Sequence, residues 1–156
     1  MLLKNAKNVL LSWVFSSSTY YKRKDGTLSD YTSMSDVFAT VSTSKNKLGS
    51  YFVVGTGTTQ ETEQDYKLEN EIETLTLDSF VVTNKMSNED HMNDKIYYRA
   101  VVTNNTTENI TVNEIGIESH QSSTYSEDKT ILWYRKVIDP VTIAPNESYA
   151  FAIDLM

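Results

Sequence analysis

Cysteine is absent from this chain of 156 residues, and proline and histidine occur only twice each. The absence of thiols excludes disulfide bonds, thiolate metal sites and a cysteine nucleophile. It leaves the redox compartment open, because a protein without cross-links is compatible with either environment. A domain of this length buries enough of its surface to be stable without disulfide bonds.

Alanine is also scarce, with 6 residues, whereas threonine contributes 19, valine 13 and isoleucine 9. Threonine, valine and isoleucine favour strands, and a chain poor in alanine and rich in asparagine is a poor helix former. The hydrophobic fraction of 39% is that of a globular protein. The composition therefore predicts an all-β fold.

Long apolar runs are missing, so the chain offers no membrane-spanning helix. Residues 1–15 carry two lysines before a short apolar run, but Ser12 interrupts that run and no Ala-x-Ala cleavage site follows. We therefore expect this stretch to belong to the mature protein. Proline- and glycine-rich linkers are missing as well, which predicts one domain over 1–156, with a helix in 1–18 and a β-sandwich in 19–156.

Basic residues are outnumbered, and the net charge is −7. The charge is divided unevenly, at +4 in residues 1–50 and −11 in residues 51–156. Nucleic-acid binding needs clustered lysine and arginine, and the only such cluster is Lys22-Arg23-Lys24. Because Asp25-Gly26 follows it directly, we interpret the cluster as part of an exposed turn and expect no nucleic-acid partner.

The N-terminal residues have apolar side chains at helical spacing, which predicts a helix of about three turns. A helix this short needs a surface to dock on. The spacing leaves open whether that surface is the chain's own sheet or a neighbouring subunit. The candidate assembly interface on this helix consists of Leu3, Leu10, Trp13 and Val14.

After the helix the apolar pattern has a period of two, with turn signals at regular intervals that predict eight or nine short strands. Asp25-Gly26 predicts a hairpin within Tyr20 to Tyr31. Lys95 to Thr103 and Ile110 to Ile117 flank a polar turn and are predicted to form a second hairpin. The pattern favours an antiparallel β-sandwich, of which a jelly roll is one form.

Chemical sites are not evident in the sequence. His91 and His120 lie in separate polar segments, and the acidic stretch 88–94 lacks the ligand spacing and bend glycine of a calcium loop. The turn Gly55-Thr56-Gly57 leaves a strand, but no Lys-Ser or Lys-Thr pair follows and the next segment is acidic. We interpret Gly55 and Gly57 as structural turn residues, and we expect no metal, no cofactor and no enzymatic activity.

A carbohydrate-binding module is the alternative from another class of function. A sandwich with ten tyrosines and two tryptophans offers aromatic side chains that stack on sugar rings. Trp13, however, belongs to the helical stripe. Trp133 lies within an apolar strand, where it is expected in the core.

Three stretches resemble virion proteins of tailed bacteriophages. Val53 to Thr59 and Asp65 to Ile72 are similar to a "VGTGTT" turn followed by an acidic segment with "LEN". Val102 to Ile117 resembles the strand pair with "NEIG" that follows in those proteins, and Val141 to Tyr149 resembles their closing turn. In that turn Asn146 stands where glycine is usual, and asparagine tolerates the left-handed conformation that the turn requires.

The resemblance implies a structural role in a virion, as an adaptor, a collar or tail subunit, or a head-decoration subunit. Its implied partners are other virion proteins and copies of this chain, and its location is the virion, after synthesis in the cytoplasm of the host bacterium. We take Gly116, Pro145 and Asn146 as further structural turns within the resembling stretches.

Overall fold

The computed structural model describes residues 20–30, 41–45, 49–85, 95–120 and 130–154. These residues form strands and connecting segments and contain no helix, so none of them forms a helix able to cross a membrane. The strands are β1 (Tyr20–Lys22), β2 (Leu28–Asp30), β3 (Gly49–Gly55), β4 (Leu75–Lys85), β5 (Lys95–Asn104), β6 (Ile110–His120), β7 (Thr130–Ile143) and β8 (Ser148–Asp154).

The strands form two antiparallel sheets of three strands, in the orders β3-β6-β7 and β4-β5-β8, beside a two-stranded hairpin of β1 and β2. The all-β prediction is thereby confirmed. The predicted helix in 1–18, with Leu3, Leu10, Trp13 and Val14, lies outside the described residues, as does His91.

The core lies between the inner faces of the two sheets. Phe52 of β3 contacts Phe80 of β4 and Phe151 of β8, with ring centroids 5.9 and 5.7 Å apart. Tyr98 of β5 meets Trp133 of β7 edge-on at 5.7 Å. Aromatic pairs therefore join the sheets along their length, and aliphatic residues from both sheets fill the space around them.

The hairpin predicted around Asp25-Gly26 is present, since β1 and β2 pair antiparallel on either side of it. Gly26 has a φ of 88°, a conformation that glycine adopts without steric cost. The Asp25 carboxylate accepts hydrogen bonds from the amide and the hydroxyl of Thr27, at 2.8 and 2.7 Å. The turn is therefore closed by its own side chains.

The second predicted hairpin is wrong, because β5 and β6 lie in different sheets. The chain turns between the sheets at Asn104, whose side chain is fully buried. Its amide Nδ2 donates to the carbonyls of Glu108 and Ile143, and its Oδ1 accepts from the amide of Thr106. The Asn104 side chain therefore satisfies the hydrogen-bonding backbone groups at this corner. In a two-stranded hairpin, strand pairing would satisfy them instead.

The turn at Pro145 and Asn146 joins β7 to β8 and also passes from one sheet to the other. Asn146 has a φ of 61°, the left-handed conformation expected of it. Its amide donates to the carbonyl of Asn104 at 2.7 Å, and the amide of Asn104 donates to the carbonyl of Glu147 at 2.9 Å. The two crossings between the sheets are therefore bonded to each other.

Candidate functional site

The most unusual chemistry of the chain lies on the outer face of the sheet β3-β6-β7. Val112, Ile115 and Ile117 of β6 point into the core, and Glu114 and Glu118 lie on the opposite face. Both carboxylates are nevertheless fully buried, because residues 56–74 and the β1–β2 turn lie over this face. We call it the covered face.

The side chain of Arg135 organises one half of the covered face. Its Nε donates to Glu114 Oε2 at 2.8 Å, its Nη1 to Asp65 Oδ2 at 2.6 Å and its Nη2 to the carbonyl of Thr59 at 3.2 Å. Arg135 is only 3% exposed. The guanidinium thus joins β7 to two points of the segment that covers it, Thr59 and Asp65.

Glu114 is the acceptor for the backbone of that covering segment. Its carboxylate accepts hydrogen bonds from the amides of Gly57, Glu69 and Asn70, at 3.1, 3.2 and 2.9 Å. With Arg135 this makes four donors around one buried carboxylate. Such an arrangement satisfies the charge at a site where an unpaired carboxylate would be costly.

Within the covering segment, residues 56–74, two further carboxylates accept hydrogen bonds from other residues of the same segment. Glu69 accepts from the amides of Thr58 and Thr59, and hydrogen bonding from Thr59 lowers the pKa of Glu69. Burial of Asp65 works against its ionisation, but hydrogen bonds from Thr62 and Arg135 outweigh that effect and lower the pKa of Asp65. Both groups are therefore held in the charged form.

The glycines predicted as structural turns differ in what they do. Gly55 ends β3 and Gly57 follows it, and a Cβ on Gly57 would lie 2.6 Å from Glu114 Oε1 and 2.5 Å from Glu69 Cβ. Gly116 is not in a turn, because it lies in the middle of β6, paired with Val53 and Arg135. A Cβ on Gly116 would lie 3.0 Å from Leu68, so glycine leaves room for the covering segment.

A second charged cluster lies further along β6, where the β1–β2 turn reaches the sheet. Lys24 Nζ is 2.8 Å from Glu118 Oε1 and also pairs with Glu71. Lys45 pairs with the other oxygen of Glu71 and lies 3.9 Å from Glu73. Two lysines therefore share the carboxylates of Glu71 and Glu118 at a largely buried position.

Burial shifts the proton affinities of this second cluster. It raises the pKa of Glu118 to about 7, against a smaller opposing effect of Lys24. Burial also opposes the charged forms of Glu71 and Lys24. Attraction and hydrogen bonding from Lys24 and Lys45 nevertheless lower the pKa of Glu71, and attraction to Glu118 and Glu71 raises the pKa of Lys24. Burial, reinforced by Lys24, lowers the pKa of His120 to about 4.

Both clusters join the covering segments to the sheet through ion pairs and hydrogen bonds. The carboxylates of Glu114 and Glu69 are occupied by amides of the same chain, and the charged groups are paired with one another. Within the described ranges, no three His, Asp or Glu side chains are placed to hold a metal ion. A cavity of about 320 Å³ between β3 and β4 is lined mainly by apolar residues such as Phe52, Ile72 and Leu77, with Lys45 and Glu73 among its polar lining residues.

Sequence reasoning placed Gly55, Gly57, Pro145 and Asn146 near strand ends, but it missed the residues that bring the segments together. Those are Lys24, Glu71, Glu114, Glu118 and Arg135. For two of them the sequence contains a pattern. Glu114 and Glu118 alternate with Ile115 and Ile117, which places both glutamates on the outer face of a strand, a face that is ordinarily solvated. Glycine at the intervening outer position, 116, marks the close approach of another segment.

Comparison with protein families, with curated proteins and with solved structures finds no match for this chain. The resemblance of its three stretches to phage virion proteins therefore stays a prediction.

Proposed function

We propose that this chain is a structural component of a bacteriophage virion, an adaptor, collar, tail or head-decoration subunit that acts through protein–protein contacts. The observation that carries the proposal is the arrangement of the covered face. The stretches that resemble virion proteins, Val53 to Thr59, Asp65 to Ile72 and the Asn113-Glu114-Ile115-Gly116 strand, meet there. The residues on which the resemblance to virion proteins rests thus make structural contacts with one another in this chain.

The direction of the polar groups supports a structural role. Asn113 Nδ2 donates to the carbonyl of Thr56, and the amide of Thr56 donates to the carbonyl of Asn70. The polar groups of the motif residues are therefore directed at each other and not at a ligand. In the proposed role the two sheets form a sandwich that presents a fixed outer surface, as a particle subunit needs.

The other outer face of the molecule supplies a surface for such contacts. On the sheet β4-β5-β8, Val81 is 48% exposed, and Arg99, Ala150 and Ala152 are exposed beside it. None of the described segments packs on these side chains, so we call this the bare face. Short side chains such as those of Val81, Ala150 and Ala152 give a sheet a flat surface, which suits contact with another protein more than enclosure of a small ligand.

The alternative, a carbohydrate-binding module, lacks an exposed tryptophan among the described residues. Trp133 is 3% exposed, and its indole Nε1 donates to Ser119 Oγ in the interior at 2.9 Å. Tyr98 and Tyr134 are buried as well. A sugar ring needs an accessible aromatic face, so these three side chains do not provide a platform.

The test is whether the chain is part of a particle. Virions produced from the genome that encodes this chain are purified by density gradient and analysed by quantitative mass spectrometry. We expect the chain at a fixed copy number per particle, in a ratio to the major capsid protein that survives repeated purification. A non-structural protein of the same genome is the matched control. Abundant chain in the lysate with none in the particles would refute the proposal, and specific binding on a glycan array would then favour the alternative.

A further inference from the structure

The sheet edges differ in how they are protected. An exposed edge strand presents unpaired backbone groups, and natural proteins prevent uncontrolled pairing by covering, bending or interrupting such edges. The two sheets together have four edge strands, β3, β7, β4 and β8. Among the described residues, three of them carry protective features, whereas no described segment covers β8 at Ala150 and Ala152.

The edges of the first sheet are covered by other segments. Along β3, the amide of Ser42 donates to the carbonyl of Ser50, and the amide of Ile72 donates to the carbonyl of Val54. Along β7, the amide of Lys24 donates to the carbonyl of Thr130, and the amide of Val137 donates to the carboxylate of Glu61. β7 is further interrupted near Pro140, where its register with β6 shifts.

In the second sheet, β4 has its own protective feature. Its register with β5 shifts between Leu77 and Ser79, which places a bulge with Asp78 in the strand. A bulge bends and twists an edge and makes it a poor template for another strand. The strand β8 pairs with β5 in unbroken register from Ser148 to Asp154 and contains no proline.

The outer edge of β8 also has a defined set of backbone groups. The amide of Asn104 donates to the carbonyl of Glu147, so this pair belongs to the hydrogen-bonded positions of the ladder with β5. By alternation, Tyr149, Phe151 and Ile153 direct their backbone groups to β5, and Ala150 and Ala152 direct theirs outward. Ala150 and Ala152 are exposed, and no described segment forms hydrogen bonds with their outward groups.

We propose that β8 pairs antiparallel with the β8 strand of a second copy of this chain, about a two-fold axis at Phe151. The two sheets β4-β5-β8 then join into one continuous sheet of six strands. This inference concerns the purified chain and does not depend on the virion proposal.

The register follows from the strand itself. An axis at Phe151 places Ala150 opposite Ala152 of the second copy, with their outward groups facing each other, and it uses the full length of the strand. It places Ser148 opposite Asp154 and Tyr149 opposite Ile153, so no like charges face each other across the pair. Tyr149 is 43% exposed at the end of the core and gains an apolar neighbour in this arrangement.

Two-fold pairing would also limit the proposed assembly to two copies. In the described part of the two three-stranded sheets, each chain contributes one unprotected edge, and the pair uses both. The edges at β3, β7 and β4 keep their protection in the pair. The proposal therefore gives a closed dimer and not a fibre.

The first test substitutes an outward amide. Sedimentation equilibrium over a concentration series is expected to show a reversible monomer–dimer transition for the unmodified chain. Ala152→Pro removes a hydrogen-bond donor at each of two symmetric positions but no bond to β5, and should raise the dimer dissociation constant by about tenfold or more. The matched control, Ala152→Ser, retains the amide and should stay within about threefold of the unmodified chain. Circular dichroism verifies that the variants keep their fold.

A second measurement tests the register without proline. Because the chain has no cysteine, single cysteines can be introduced without background. The directly opposed positions 150 and 152 are about 5.5 Å apart between Cα atoms, within the range of a disulfide bond, whereas 150 with 150 and 152 with 152 are diagonal. Mixed Ala150→Cys and Ala152→Cys chains should therefore oxidise to a dimer several times faster than either chain alone.

Each result has a definite meaning. A chain that is monomeric at every concentration overturns the proposal, and so does a dimer whose dissociation constant Ala152→Pro leaves unchanged. Equal oxidation rates for mixed and separate cysteine chains overturn the register. If the proline variant fails to fold, the cysteine experiment decides.

Discussion

The two outer faces of the molecule belong to similar three-stranded sheets, but one is covered by other segments and the other is exposed. The covered face buries Arg135, Glu114 and Glu118 beneath segments that have almost no strand structure of their own. The bare face leaves Val81 and Arg99 exposed and carries no described segment. The two buried charged clusters therefore lie on the covered face, whereas the bare face combines short apolar side chains with the exposed Arg99.

The covered face shows that apolar burial and charged groups have different roles in holding a segment on a sheet. Burying charged pairs is expensive and often no more stabilising than apolar packing of the same volume. On the covered face, the apolar contact of Leu68 with Val53 and Leu132 supplies the burial, while Glu114 and Arg135 define which backbone groups may approach. The buried charges therefore set the position of the covering segment more than they add to its adhesion.

The largest effect that would test this comparison is expected for arginine on the two faces. Arg135→Leu leaves the buried Glu114 carboxylate without its cation and should lower the free energy of unfolding by about 3–5 kcal/mol. Arg99→Leu, the same substitution on the bare face, should change it by less than about 0.5 kcal/mol. Urea denaturation followed by tryptophan fluorescence measures both. Equal losses would contradict the contrast between the faces.

A smaller effect is expected where a methyl group is added. In Gly55→Ala the new Cβ would lie 2.6 Å from the carbonyl oxygen of Asn70, so the backbone of the covering segment has to move. We expect a loss of about 1–3 kcal/mol. Val101→Ile also adds one methyl group, at a half-buried position that pairs with Ala150 on the bare face, and should stay within about 0.5 kcal/mol. Thermal unfolding of the two variants compares them, and a tolerant Gly55 would mean that the covering segment is loosely held.

The second charged cluster predicts a dependence on pH. Glu118 has a folded pKa of about 7 against an ordinary 4.5, so between these values the folded state holds a proton that the unfolded state releases. The contribution of Glu118 to stability therefore decreases as pH rises from 4.5 through 7. His120 acts in the opposite direction as pH falls from 6.5 towards 4, and Lys24, Lys45 and Glu71 face the same site.

Comparison of matched variants isolates the Glu118 contribution. Relative to Glu118→Gln, the unmodified chain should lose about 1–2 kcal/mol of stability between pH 5 and pH 8. The exposed Glu147→Gln variant should follow the unmodified chain over the same range. Urea midpoints measured at intervals of half a pH unit test this, and parallel curves for the Glu118 variant and the unmodified chain would contradict it.

The smallest effect belongs to the bare face itself. Val81→Thr replaces a half-exposed methyl group by a hydroxyl and should change the free energy of unfolding by less than about 0.5 kcal/mol. Thermal unfolding at low protein concentration measures this. A loss above about 1 kcal/mol would show that Val81 is packed against another part of the molecule, which would contradict the exposure of this face.

The sequence made the strands and the Asp25-Gly26 hairpin predictable, because alternation and turn residues are local signals. It did not reveal which strands pair. Residues 95–117 read as one hairpin, yet Asn104 diverts the chain into the other sheet by contacts with Ile143 and Glu147, which are distant in sequence. Local patterns contain no information on such partners.

The candidate site was partly predictable for the same reason. The turn residues Gly55 and Gly57 and the acidic segment that follows them are neighbours in sequence, and the amide of Thr59 donates to Glu69 of that segment. The pairing of Arg135 with Asp65 and Glu114 was not predictable, because eighteen acidic residues in the second part of the chain offer too many partners for one arginine. Only the folded geometry selects among them.

The corner at Asn104 also affects the chain while it is being synthesised. The pairs β4–β5 and β6–β7 are neighbours in sequence, so each can form as soon as its second strand has emerged. β5 waits longer for its other neighbour, because β8 follows only after β6 and β7 are complete. Until then β5 is the open edge of a growing sheet, and the ribosome-bound chain is most exposed to misassembly with other nascent chains in that interval.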